Sequence, residues 1–362
     1  MNWLSSLVQL SETSVIRHVL TASENLRVVD KYQLQRRIDE KDFNDVYIDS
    51  SHSKWLKQVY KTYRASETNL DTDEEIVIKL ERVCENSFLL EFEVDVYQSL
   101  ADNVDISFVH EYLFECEYNV MMFDLLRSSL KNLFNFCDRR FSLKTMLMLI
   151  DQLLHRLEYI HFKNVIHRDI KSENFLMNIE RRDNQMYVTD LSLVTKRRNV
   201  QIKTHSADVA KRHLIDTTRF FSINDHLDIH RCSFSVLSTH TLNTVLVQDR
   251  RDDLKSFEYM FLYLLRDFLS WQELTTEDQT QKNKLILIKK RTISTENLCR
   301  DLSEKFRAYF DHIRSLDFDE TSTYVYLRKI FRNLFVQDDF DYDRIFDWII
   351  LKYLRLCRAN LT

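Results

Sequence analysis

Val165-Ile166-His167-Arg168-Asp169-Ile170-Lys171-Ser172-Glu173-Asn174-Phe175-Leu176 is the stretch on which the reading of this chain turns. Two apolar residues lead into His-Arg-Asp, and Lys171 and Asn174 follow Asp169 at offsets of two and five. One short turn thus carries a carboxylate able to accept a hydroxyl proton, a cation able to meet a moving phosphoryl group, and an amide oxygen suited to a hard divalent ion. Phosphoryl transfer needs that set on one rigid turn. His167 stands beside a carboxylate that already supplies the base, so it is read as a packed, hydrogen-bonded structural imidazole.

Working outward, Asp190 lies 21 residues after Asp169, behind the alternating Met186-Tyr187-Val188-Thr189, and is a candidate second oxygen ligand for a divalent ion. Upstream, Lys79 sits in the apolar run Ile76-Val77-Ile78-Lys79-Leu80-Glu81, where a lysine is costly unless its ammonium has a partner. Glu93, on the acidic and helix-periodic segment 88–100, is the candidate partner, and such a pair can hold nucleotide phosphates. Strands are expected over 32–38, 43–48, 76–81 and 118–126. Residues 145–161 place Met146, Leu149, Ile150, Leu153, Leu157 and Ile160 at the three-four spacing of a core helix. Strands followed by mostly helix predict an α+β fold with a small β-rich lobe and a larger helical one. Residues 51–67 have no clear period and look inserted.

The composition, 44% apolar and 30% charged, is that of a soluble globular chain. A net charge of -5 gives no general reason to expect nucleic acid or an anionic membrane as a partner, and no apolar run reaches the roughly 18 residues of a membrane span. Residues 1–10 lack a basic start and a small-residue cleavage site, so no signal peptide is expected. Six scattered cysteines without a Cys-x-x-Cys pair predict reduced thiols, no zinc, and a cytoplasmic or nuclear setting. A monomer is expected. One feature is abnormal: the chain contains no Gly and no Pro, where average usage predicts on the order of 25 and 18.

With these residues in view, the chain resembles the casein kinase 1 family of serine/threonine protein kinases over about residues 30–348. The likeness rests on Ile78-Lys79-Leu80-Glu81, on Leu130-Lys131-Asn132-Leu133-Phe134-Asn135-Phe136-Cys137, on Asn174-Phe175-Leu176-Met177 and on Ser222-Ile223-Asn224, the family's signature triplet. Arg250-Arg251-Asp252-Asp253-Leu254, Trp271-Gln272 and Phe331-Arg332-Asn333-Leu334-Phe335 extend it. The resemblance implies a bilobal kinase fold, with an N-lobe over 30–126, a C-lobe over 127–348, insertions at 51–67 and 231–247, and tails at 1–29 and 349–362. It implies transfer of the ATP γ-phosphoryl to Ser or Thr with Mg²⁺. Asp169 would be the base, Lys171 the phosphoryl cation, Asn174 and Asp190 the metal ligands, and Lys79 with Glu93 the phosphate clamp. Phe123 would be the gatekeeper, Asp124 to Leu126 the adenine hinge, and Ile38 and Val46 the cover over the adenine. Arg219 would recognise acidic or phosphorylated residues in protein substrates, although its usual lysine companion is Thr275 here.

Departures from the family follow a rule. Glycines become Asp39, Lys41, Asn44, Arg127, Ser192, Asp216, Asp228, Glu258, Asp267 and Glu273, and prolines become Ser172, Ser270, Ser294, Ser303 and Ser322. In codon terms these are G-to-A and C-to-T steps, a pattern resembling directional G:C-to-A:T decay as in repeat-induced point mutation; the two insertions would be translated introns. Left-handed positions filled by side chains cost roughly 1 to 2 kcal/mol each. Four such sites would cost about 4 to 8 kcal/mol, so the expectation is a marginal fold with weak or absent catalysis, a pseudokinase or relic being the alternative to an enzyme.

Overall fold

The structure, a computed structural model, describes residues 27–28, 32–37, 61–67, 75–83, 89–101, 106–115, 118–124, 128–178, 184–196, 217–227, 248–274, 276, 278–317, 320 and 323–359. The chain divides into two units, residues 1–101 with 107–125, and residues 102–106 with 126–362.

Among the described residues, the first unit is an antiparallel six-stranded sheet with one helix. Strands β1 (Arg27–Val28), β2 (Tyr32–Arg37), β3 (Lys61–Glu67), β4 (Glu75–Arg82), β5 (Val109–Glu115) and β6 (Tyr118–Asp124) stand in the order β1-β2-β3-β4-β6-β5. Alternation in β4 sends Ile76, Ile78 and Leu80 to one face, where they pack with Val120 and Met122 of β6 in a buried cluster. Lys79 and Glu81 take the other parity. Helix α1 (Leu89–Leu100) buries Leu90, Glu93, Val94, Tyr97 and Leu100, the three-four stripe of an amphipathic helix.

Residues 61–67, assigned to an insertion, form β3, which pairs with β2 on one side and β4 on the other. Their alternation of Thr62, Arg64 and Ser66 with Tyr63 and Ala65 is strand-like, and only backbone pairing makes it decisive. The expected strand at 43–48 and the insertion at 231–247 lie outside the described residues.

The second unit is helical around small sheets. Its axis is α3 (Leu143–Phe162), started by Ser142, whose side chain accepts from Thr145 N. Every apolar residue expected on its core face is buried, from Met146 to Ile160. Strands β7 (Ser128–Ser129), β9 (Phe175–Asn178) and β10 (Gln185–Val188) form one sheet, and β8 (Val165–Ile166) with β11 (Thr195–Lys196) another. Around them lie α2 (Leu130–Phe136), α4 (Arg250–Arg266), α5 (Gln279–Thr292), α6 (Thr295–Leu298), α7 (Glu304–Ser315) and α8 (Tyr324–Gln337). Phe261, Phe306, Tyr309 and Phe331 meet edge-on or tilted in the core among α4, α7 and α8.

Residues of the expected C-terminal tail continue a helix, α9 (Asp347–Ala359). Its start is fixed by Trp348, stacked on Phe346 at 4.5 Å, and by the Asp347 carboxylate, which accepts from Ser142 N at 2.6 Å and Ser142 Oγ at 2.8 Å. Ser142 lies over two hundred positions upstream, so nothing local signals that anchor.

Candidate active site

The turn between β8 and β9 holds the first set of chemistry. The Asp169 carboxylate is 1% exposed, and its Oδ2 meets Lys171 Nζ at 2.7 Å and accepts from Asn174 Nδ2 at 3.0 Å. Asn174 Nδ2 also donates to the Asp169 carbonyl at 2.9 Å, closing the turn on itself. Asp169 Oδ1 is buried with no hydrogen-bond partner among the described residues. Burial works against the Lys171 ammonium, but Asp169 and Asp190 hold its pKa above the ordinary lysine value, so it stays charged.

The backbone is held just as firmly. Asp253, near the start of α4, accepts from His167 N at 2.7 Å and Arg168 N at 2.8 Å. Arg168 has φ 67, a left-handed conformation costly for a side chain larger than Asn or Asp. His167 is fully buried, stacks on Phe175, and its Nδ1 accepts from Asp169 N, which is the structural role expected of it.

The structure places Asn174 and Asp190 in the same unit as Asp169. Thr189, next to Asp190, donates its N–H to the Asn174 carbonyl at 2.9 Å. Asp190 is left-handed at φ 59, and its Oδ1 accepts from Ser192 Oγ at 2.7 Å. Ser192, at a position where the resemblance implies glycine, does not adopt a positive φ, but its hydroxyl competes for the carboxylate proposed to face a metal. An amide oxygen and a carboxylate are hard donors that fit Mg²⁺, which takes one or two protein oxygens and completes its shell with phosphate and water. No group of three or more His, Cys, Asp or Glu that could cage an ion occurs among the described residues.

The second set lies in the sheet unit. Lys79 Nζ meets Glu93 Oε2 at 2.7 Å, with side chains 10% and 1% exposed, so the buried lysine has the helix partner expected of it. Glu81 Oε2 accepts from Leu90 N at 3.2 Å, a carboxylate at a helix start. Burial pushes the Glu81 pKa up against that bond. Of the expected adenine contacts, Phe123 pairs across to Val77 on β4. The Asp124 carboxylate is engaged by Phe108 N at 3.2 Å and His110 Nε2 at 2.9 Å, and its N–H donates to the Phe108 carbonyl. Ile38, Val46 and Leu126 lie outside the described residues.

Around Arg219 the structure adds residues the sequence did not single out. The Arg219 guanidinium lies 4.9 Å from the centre of the Tyr263 ring, while Lys131 and Arg139 donate to the Tyr263 hydroxyl at 3.3 and 2.9 Å. Asp267 pairs with Arg139, and Glu173 approaches Lys131 at 3.9 Å. Ser222 and Asp225 cap each other's backbone at 2.6 and 3.1 Å, and Asn224 Nδ2 donates to Asp252 at 2.9 Å, so the Ser222-Ile223-Asn224 triplet is tied to α4. Lys290, wholly buried on α5, donates to the carbonyls of Thr218 and Phe221 at 3.0 and 2.7 Å and lies over Tyr259 and Trp271. In sequence Lys290 belongs to the charged run Lys289-Lys290-Arg291, which resembles a solvated helix end.

The helical unit thus holds a partly satisfied buried carboxylate, a charged lysine beside it and an amide-carboxylate oxygen pair, and the sheet unit by itself holds a buried lysine–glutamate pair. Residues 43–214 match the family model described as a protein kinase domain, and that match, on a kinase-like bilobal α+β fold, supports a protein kinase family for this chain and ATP with a divalent metal as what such a domain uses.

Proposed function

We propose that the chain is a serine/threonine protein kinase of the casein kinase 1 type. The observation that carries this reading is the Asp169 carboxylate: Oδ2 is held by Lys171 and Asn174, while Oδ1 is buried with no partner among the described residues. A buried acceptor without a donor is costly unless a ligand supplies one, and a substrate hydroxyl does so. Asp169 then accepts the hydroxyl proton as the new oxygen–phosphorus bond forms and the bond to the ADP leaving group breaks. Lys171 offsets the charge on the transferred group. Asn174 and Asp190 would hold Mg²⁺, which when bound neutralises phosphate charge, and Lys79, aligned by Glu93, would hold the α- and β-phosphates.

The casein kinase 1 assignment is supported by the Ser222-Ile223-Asn224 turn and its bond to α4. A preference for acidic or phosphorylated substrates is supported by Arg219, which has no carboxylate partner among the described residues and shares Tyr263 with Lys131 and Arg139. Two peptides differing only in an upstream phosphoserine test it: the phosphorylated one is expected to react with at least about tenfold higher kcat/KM, a margin Arg219→Ala removes. Equal use of both would refute the preference while leaving the kinase reading intact.

A second reading has its own observation. The Ser192 hydroxyl on Asp190 favours a pseudokinase that binds nucleotide weakly and transfers little. A thermal shift with Mg-ATP in the absence of any phosphotransfer would favour it.

A further inference from the structure

His161 lies on the buried face of α3 with 1% of its surface exposed, and both ring nitrogens are engaged. Nε2 is 2.8 Å from Asp253 Oδ2, and Nδ1 meets the Tyr324 hydroxyl at the first residue of α8. Burial works against the charge on Asp253, yet His161 and His167 hold its pKa below the ordinary carboxylate value, so Asp253 only accepts. Nε2 therefore carries the ring proton. Burial also holds His161 below its ordinary pKa, and a neutral imidazole protonated at Nε2 presents Nδ1 as an acceptor. Tyr324 is the donor that position needs; burial keeps its hydroxyl protonated. Tyr324 is 6% exposed, so water does not readily replace it.

The same Asp253 carboxylate accepts the His167 and Arg168 N–H groups, and Arg168 is in the left-handed region immediately before Asp169. An unbroken buried chain thus runs from α8 through α3 and α4 to the turn. A backbone held against its own preference relaxes when the groups holding it loosen.

We propose that Tyr324 is a positioning residue for the catalytic turn: its hydroxyl locks His161 in the Nε2-protonated form, and through Asp253 fixes the peptides that carry Asp169. This rests on the reading of Asp169 as the base, and Tyr324 itself touches no reacting atom.

Nuclear magnetic resonance of the full chain with ¹⁵N-labelled histidine tests the first link without any variant. His161 is expected protonated at Nε2 with a hydrogen-bonded Nδ1; protonation at Nδ1 would overturn the proposal. In Tyr324→Phe, amide exchange at His167 and Arg168 should speed up by at least about tenfold relative to amides of α7. A uniform change across both, or none, would mean a merely structural tyrosine and also overturns it. In kinetics, kcat should fall about tenfold while KM for ATP and peptide stays within about twofold; an unchanged kcat contradicts the proposal. Should Tyr324→Phe not fold, the wild-type tautomer decides. A wild-type chain without phosphotransfer sinks the reading of Asp169, whereas the tautomer and exchange still decide the hydrogen-bond chain.

Discussion

The juxtaposition of Asp169, Lys171 and Asn174 was legible because all three lie within one turn, so sequence spacing and spatial spacing coincide. Ser192→Gly removes the hydroxyl that Asp190 accepts. The expected outcome is a gain in kcat/KM of about threefold to tenfold at low Mg²⁺, read by titrating the metal in a phosphotransfer assay. Glu258, at a position where the casein kinase 1 resemblance implies glycine, lies in the middle of α4 and is fully buried, with Oε1 on Arg314 at 2.9 Å and Oε2 without a partner among the described residues. Burial, against Arg314, pushes its pKa up to about 7 from 4.5. The folded state then binds this proton more tightly than the unfolded one, so its contribution to stability falls as pH rises from about 4.5 to about 7 and is constant above. Glu258→Gln cannot titrate, so its Tm advantage over the wild type should grow between about pH 5 and about pH 8; a constant difference would refute the assignment. The residues that were not legible, Tyr324 and Lys290 among them, act through partners tens to hundreds of positions away.

Helix starts show what serine does where the resemblance implies proline. Ser294 and Ser303, where the casein kinase 1 resemblance implies proline, are the N-caps of α6 and α7, accepting from Asn297 N and Lys305 N. A proline pre-sets the first turn, whereas a serine satisfies one of its open N–H groups, so one device replaces another. Ser303→Ala is expected to cost about 0.5–2 kcal/mol, measured by denaturant unfolding. Lys290→Met should cost about 1–3 kcal/mol, because two buried carbonyls of the 217–227 segment lose their donor. If Lys290→Met unfolds at the wild-type denaturant midpoint, that anchoring role is wrong. Strands with clear alternation, such as β4, were legible; β3 was not, because polar alternation specifies a strand only once β2 and β4 flank it.

At the scale of the molecule, the absence of glycine predicted a broad conformational penalty. Ten described residues have a positive φ, and seven of them, Asp138, Asn164, Asn184, Asp190, Asp267, Asp301 and Asp339, are Asp or Asn, whose short polar side chains tolerate it best. Of the replaced glycines among the described residues, Asp267 alone is left-handed, at φ 61 as the C-cap of α4. Ser192, Glu258 and Glu273 are not, so the four-site penalty is not met there. The α+β division was legible from the change of period along the chain, because strand and helix burial impose different spacings. The C-terminal helix was not, since its anchor on Ser142 is a tertiary event. The central claim, that the Asp169 turn still transfers phosphate, is tested most directly by radiolabel transfer from γ-labelled Mg-ATP to casein by the wild type and Asp169→Asn, which keeps the side-chain shape. Slow but measurable serine or threonine labelling that falls about 10²- to 10⁴-fold in the variant is the predicted result; no labelling by the wild type, or equal labelling by both proteins, would contradict it.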